Sequence, residues 1–301
     1  MVPDLSRTAI REHHRRVPVN TARVTAETPA GRPSPVTGFG YLDSVLDQPG
    51  SVIAMAHRGG ALHPEIPGTE NTLHAFTHAV ALGYHYLETD VHATSDGVLL
   101  AFHDLMLDRV TDTQGELSRL TADEVRKARI GGAHAVPTMA ELLEEFPDCR
   151  FNIDIKSAAA VQALVDLVEQ TRSHERVCVG SFSQRRLDIF RRATGGRVAT
   201  SAAPTEVAVF LALPSGRAAR FVTRRRVAAL QVPHRRGPLP IVTRPLVRRA
   251  HAAGAHVHVW TVDEPAEMDE LLDLGVDGLI TDRTDVLKQV LMRRGQWRDH
   301  P

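Results

Sequence analysis

The sequence predicts an α/β fold, a single closed barrel of eight parallel strands in the (β/α)8 pattern over residues 51–301. Three observations predict it. Short apolar runs suited to buried strands recur from one end of this region to the other. Most are separated by segments with helical spacing, and several end in titratable residues, as strands do at the mouth of such a barrel.

In order, the runs are "VIAMA" (52–56), "YHYLETDV" (84–91), "VLLAF" (98–102), "RFNIDI" (150–155), "RVCVGS" (176–181), "RVATS" (197–201), "AALQV" (228–232), "HVHVW" (256–260) and "DGLIT" (277–281). Segments such as "TLHAFTHAVALG", "TMAELLEEF", "AAAVQALVDLVEQTRS" and "PAEMDELLDLG" read as the helices between them. Nine runs compete for eight places. The connection "HATSDG" is too short for a helical crossover, so the second or the third run is a hairpin arm or an irregular barrel strand. Residues 104–138 carry little strand pattern and one helix, "TADEVRKAR", and are expected to cap one barrel end. Residues 1–50 read as an N-terminal arm, partly flexible, with Pro, Arg, Thr and Gly prominent.

Basic and acidic residues balance at 36 each, which excludes a global field for nucleic acid or an anionic membrane. Any phosphate chemistry must come from a local site. The basic cluster 11–16 and the arginine run 224–226 read as solvated faces. Cys149 and Cys178 form no disulfide framework, and no run approaches ~18 apolar residues or resembles a secretion signal. A soluble, cytoplasmic chain is expected. Nothing in the sequence names an oligomerisation face.

The polar residues that end the runs form one set. The first ends in His57 and Arg58, the second in Glu88 and Asp90, the third in His103 and Asp104, the fourth in Asp154 and Lys156. Alternation along a strand puts Glu88 and Asp90 on one face, and likewise Asn152, Asp154 and Lys156. Three carboxylates converging in a barrel mouth repel one another unless a hard cation compensates them, which points to Mg²⁺ or Ca²⁺. His57 and His103 are the groups best able to exchange protons near neutral pH, and Arg58 and Lys156 could neutralise phosphoryl oxygens. The glycines at 59 and 60 are expected to let backbone and phosphate approach closely.

The run "AHRGG…TENTLHAF…LGYHYLETDVHATSDGVLLAFHD…VPTMAELLE…NIDIK…VWTVD…LGVDGLITD" resembles the glycerophosphodiester phosphodiesterases over residues 52–285. The resemblance implies a TIM barrel that hydrolyses small-molecule glycerophosphodiesters to glycerol phosphate and an alcohol with a divalent metal. It places the family's catalytic histidines on His57 and His103, its phosphate-binding arginine on Arg58, and its metal carboxylates on Glu88 and Asp90. Glu70, in "TENT", matches a further glutamate at or beside the metal, and Lys156 matches the lysine after the third acid. Two departures stand out: Thr69 replaces a proline, and Asp154 stands where the family has glutamate, one methylene shorter. Trp260 is expected to wall the substrate pocket. A rival motif, the His256–His258 pair, could bind zinc but lacks downstream ligands. His63, His74, His78, His85 and His92 read as surface or structural. The same site could instead serve a phospholipase D-like hydrolase of lysophospholipids or sphingolipids. A non-catalytic phosphate-binding barrel would lack an acid, base or ligand, and none is missing.

Overall fold

The structure, a computed structural model, describes residues 34–44 and 51–298, which fall in one compact unit, residues 31–301. Apart from 34–44, the expected N-terminal arm and its basic cluster lie outside the described residues.

In chain order the strands are β1 (Ile53–His57), β2 (Tyr86–Ala93), β3 (Leu99–Ala101), β4 (Arg150–Ile155), β5 (Val177–Gly180), β6 (Ala199–Thr200), β7 (Ala229–Pro233), β8 (Arg235–Arg236), β9 (Leu239–Pro240), β10 (His256–Trp260) and β11 (Gly278–Thr281). Eight of them run parallel in the order β6-β5-β4-β2-β1-β11-β10-β7. The two ends of that path meet where Ser201 bridges Ala229 and the Ala202 amide donates to the Ala229 carbonyl at 2.9 Å, so the barrel closes. β3 lies off the path and pairs antiparallel with β2, Val91 opposite Ala101 and Ala93 opposite Leu99. The third apolar run is therefore the hairpin arm. β8 and β9 form a further hairpin directly after β7, one that no apolar run foreshadows.

The helices are α1 (Gly40–Asp43), α2 (Leu73–Ala81), α3 (Ala122–Val125), α4 (Met139–Glu145), α5 (Ala159–Thr171), α6 (Gln184–Ala193), α7 (Pro204–Ala212), α8 (Gly216–Val222), α9 (Arg244–Ala253), α10 (Pro265–Leu274) and α11 (Thr284–Arg293). Local chemistry marks their ends. Thr72 caps α2 by accepting from the Ala75 amide, Thr121 and Thr138 form capping boxes with Glu124 and Glu141, and Gly254 and Gly275 end α9 and α10 in the left-handed region.

Outward-facing strand residues such as Phe151, Ile153, Val179, Val257 and Leu279 are buried against the helical ring. Inside, Met55, Tyr86, Cys178, Ala228 and Ile280 form a second cluster that Tyr41 and Leu42 of α1 join from the N-terminal end. Tyr86 Oη donates to the Tyr41 carbonyl at 2.6 Å and the two rings meet edge-on. Residues 104–138 build a small core of their own on β3, from Leu100, Phe102, Leu107, Leu117, Val125 and Ile130 among others. This insertion stands beside the barrel mouth.

Candidate active site

Parallel register sets the strand ends level: His57 is opposite Glu88, Glu88 opposite Asn152, and Asp90 opposite Asp154. Immediately beyond β1 the chain turns sharply. Arg58, Gly59 and Gly60 all have positive φ, at 51°, 85° and 95°. Packing alone already demands both glycines. A Cβ on Gly59 would lie 2.7 Å from Ala75 Cβ, and one on Gly60 would lie 2.8 Å from Thr284 Oγ1, so both let this loop pack on α2 and α11.

His57 Nδ1 donates to Asp282 Oδ1 at 2.7 Å, which leaves Nε2 for proton exchange, 3.7 Å from Glu88 Oε2. Burial alone would lower its pKa. The Glu88 carboxylate and the Asp282 bond outweigh burial and raise it. His103 arrives differently, because β2 runs up past the mouth and β3 returns, with the Phe102 amide bonded to the Asp90 carbonyl at 2.9 Å. His103 Nδ1 pairs with Asp104 Oδ1 at 2.6 Å, and the His92 ring donates to the His103 carbonyl at 3.0 Å. Asp104 also accepts from Arg109 Nε. Against the upward pull of burial, the bonds from Arg109 and His103 hold its pKa at about 2. Each histidine thus carries a carboxylate on Nδ1.

The carboxylates divide into two groups. Lys156 Nζ bridges Asp90 Oδ1 (2.8 Å) and Asp154 Oδ2 (2.7 Å). Arg58 Nε lies 3.1 Å from Asp90 Oδ2, but without hydrogen-bond geometry, so that buried oxygen has no hydrogen-bond partner. Burial raises the pKa of Glu88 to about 7, and the charges of Asp90 and Asp154 add to the rise. Asp90 stays below its ordinary value because Lys156 and Arg58 outweigh its own burial. Glu70 stands apart from this set. It accepts from Arg58 Nη1 at 3.1 Å and from Arg109 Nη1 and Nη2 at 2.9 and 2.7 Å. Within the "TENT" segment Thr72 caps α2, while Asn71, at φ 57°, accepts from Thr89 Oγ1.

Trp260 is half-buried and meets Phe182 edge-on, ring centroids 5.9 Å apart, while Lys156 Nζ lies 5.8 Å from the Phe182 centroid. Phe182 is 65% exposed and was not among the expected residues. Below the mouth, Gln231 Nε2 donates to Asn152 Oδ1 at 2.8 Å, and Gly180 leaves room beside Ser201 and Gln231. His256 and His258 sit inside the barrel, fully buried, their rings perpendicular. Burial pushes His258 down to about 3. His256 Nε2 donates to the Pro35 carbonyl, so the pair is structural, not a zinc site at the mouth. Among the described residues, one set of three metal-type ligands lies within 4.8 Å of one another: His63, Glu65 and His78, on the β1–α2 loop and α2.

Asp282 could have been found by the strand-end rule, since it follows "GLIT" directly. Arg109 could not, because it reaches Glu70 from the insertion, where no strand period points.

Residues 57–286 match the glycerophosphoryl diester phosphodiesterase family. Over 250 residues the chain is 45% identical to a Mycobacterium tuberculosis protein named probable glycerophosphodiester phosphodiesterase 2, covering 82% of this chain and 94% of the relative. A solved Silicibacter pomeroyi structure of the same described class superposes with a TM-score of 0.72 at 25% identity, covering 87% of this chain and 100% of that one. An Oleispira antarctica phosphodiesterase solved with its product sn-glycerol-3-phosphate shares the fold at a TM-score of 0.66 and 20% identity, over 79% of this chain and 96% of that one. The matched span opens on His57 and closes just beyond Asp282, enclosing both histidine–aspartate pairs, the carboxylates and the basic residues between them. The chain belongs to the glycerophosphoryl diester phosphodiesterase family.

Proposed function

We propose that this phosphodiesterase hydrolyses glycerophosphodiesters in the cytoplasm to sn-glycerol 3-phosphate and an alcohol, in phospholipid turnover, with His57 and His103 exchanging protons. The observation that carries the reading is the pair of histidines, each bonded at Nδ1 to a carboxylate and each acting electrostatically on the same carboxylate set, His57 on Glu88 and His103 on Asp90. One ring takes the proton of the attacking oxygen, a water or the substrate's own glycerol hydroxyl, as the other protonates the leaving alkoxide; in the second case water then opens the cyclic phosphate to the monoester. Arg58 and Lys156 offset the phosphoryl charge, and Trp260 with Phe182 forms an aromatic wall for the substrate.

The residues fit a divalent cation. Asp90 Oδ2 is buried without a hydrogen bond, and Glu88 is pushed toward neutrality by burial, with the charges of Asp90 and Asp154 adding to the rise. Glu88, Asp90 and Asp154 would hold Mg²⁺ or Ca²⁺, with Glu70 adjoining through Arg58. Bound there, the ion would polarise a phosphoryl oxygen. The test is turnover of glycerophosphocholine with Mg²⁺ or Ca²⁺, assayed for sn-glycerol 3-phosphate. Chelation should abolish product and either ion should restore it. No product with any glycerophosphodiester at any metal would overturn the reading.

A second reading draws on the apolar side chains that follow His103 and on Phe182 beside Lys156 and Trp260. Leu105, Met106 and Phe182 are exposed, as an acyl chain would require. Comparing rates on glycerophosphocholine and lysophosphatidylcholine separates the two, and faster cleavage of the acylated substrate favours the second.

A further inference from the structure

The balanced net charge conceals a strong asymmetry. From Val207 to Val262 the chain carries ten arginines and no aspartate or glutamate. In the structure these residues build α8 and α9, which pack side by side as one outer wall of the barrel. Between them lies a hollow of about 390 Å³ lined by Arg217, Arg248 and Arg249 with Pro214, Ser215 and Pro245. None of the three arginines has an ion pair among the described residues, and Arg249 Nε is buried without a hydrogen-bond partner. Beside the hollow, Arg220, Arg224 and Arg225 are exposed and likewise without an acidic partner among the described residues. Phe221 and Val222 stand among them, 85% and 53% exposed.

Six guanidinium groups without ion pairs among the described residues repel one another on one wall, and no described acidic side chain compensates for gathering them. A surface of phosphate groups would supply it, since guanidinium pairs with phosphate in fork geometry. The exposed phenylalanine and valine select among polyanions. A nucleic acid has no apolar layer into which Val222 could enter, whereas the boundary between headgroups and acyl chains takes both side chains. We propose that the α8–α9 wall binds the surface of an anionic phospholipid bilayer, the hollow holding a headgroup phosphate and Phe221 and Val222 entering the interface. Gly216 of α8 packs on Arg249, Ala252 and Ala253 in the second half of α9, and residues 223–228 lead into the start of β7, so α8 lies toward the barrel end opposite the mouth. Docked this way the enzyme keeps its mouth toward water, where soluble phosphodiesters are found.

The test is sedimentation of the full chain with vesicles of phosphatidylcholine alone and of phosphatidylcholine with phosphatidylglycerol, alongside Arg217→Ser/Arg248→Ser and Phe221→Ser. These positions are exposed, and thermal melting with circular dichroism verifies that each variant is folded. The wild type should sediment with the anionic vesicles only and release at high salt. At about fivefold per arginine, the double variant should lose roughly 10- to 30-fold in partitioning. Phe221→Ser should lose several-fold while keeping its salt dependence. Equal binding to neutral vesicles, full retention by the double variant, or binding to single-stranded DNA without vesicle binding would each overturn the proposal.

Discussion

At His57, a single hydrogen bond decides what the ring can do. Asp282 accepts from Nδ1, so in the proposed reaction the nitrogen left to exchange a proton is Nε2, which faces Glu88. The carboxylate fixes the ring's tautomer and orientation. Asp282→Asn keeps the shape but can present its amide to Nδ1 and select the wrong tautomer. We expect kcat to fall about 10²-fold with KM within about twofold, and the melting temperature to change little. A fall confined to KM would assign Asp282 to substrate binding instead. The same logic makes Asp104 a positioning residue for His103, with Arg109 holding the carboxylate in turn.

At the scale of elements, the β2–β3 hairpin and the insertion that follows it explain what could be read from sequence and what could not. Period and strand-end polarity sufficed for eight parallel strands and for the residues at their ends, because a buried strand writes its register into every second side chain. They could not choose the hairpin arm, since "YHYLETDV" and "VLLAF" both read as strands and only pairing distinguishes them. Nor could they show that Gly59 and Gly60 must also be small for packing, a need set by Ala75 and Thr284, distant in sequence. Arg109 illustrates the same limit: it lies in a short 3₁₀ turn (Leu107–Arg109) yet supplies two of the three guanidinium bonds on Glu70 and grips Asp104 as well. Through it the insertion is fastened to the loop that carries Glu70. Arg109→Ala releases both carboxylates at a partly exposed site, so the effect on stability should stay within about 1 kcal/mol. The effect on catalysis should be larger: Glu70 and the His103 segment lose their restraint, and KM for the phosphodiester rises several-fold. Unchanged KM and kcat would show that Arg58 alone holds Glu70.

For the whole molecule, the barrel interior ties stability to pH. His258 is fully buried among strands, Nε2 has no hydrogen-bond partner, and desolvation outweighs the pull of Asp277, with His256 opposing charge as well. The folded ring therefore stays neutral down to about pH 3. In the unfolded chain it protonates near pH 6.5. Because the folded pKa lies below the unfolded one, the stability this histidine contributes is present above pH 6.5 and is lost progressively as pH falls toward 3. Between pH 7 and pH 5 the loss is about 2 kcal/mol, with His256, lowered by burial in the same direction, adding to it. Urea unfolding at the two pH values measures the difference. His258→Gln should be less stable at pH 7, because a buried polar group is exchanged, yet should lose about 2 kcal/mol less on acidification than the wild type. Equal acid losses in the two proteins would assign the pH dependence to other groups. The titration belongs to the buried interior, which α1 closes at the N-terminal end.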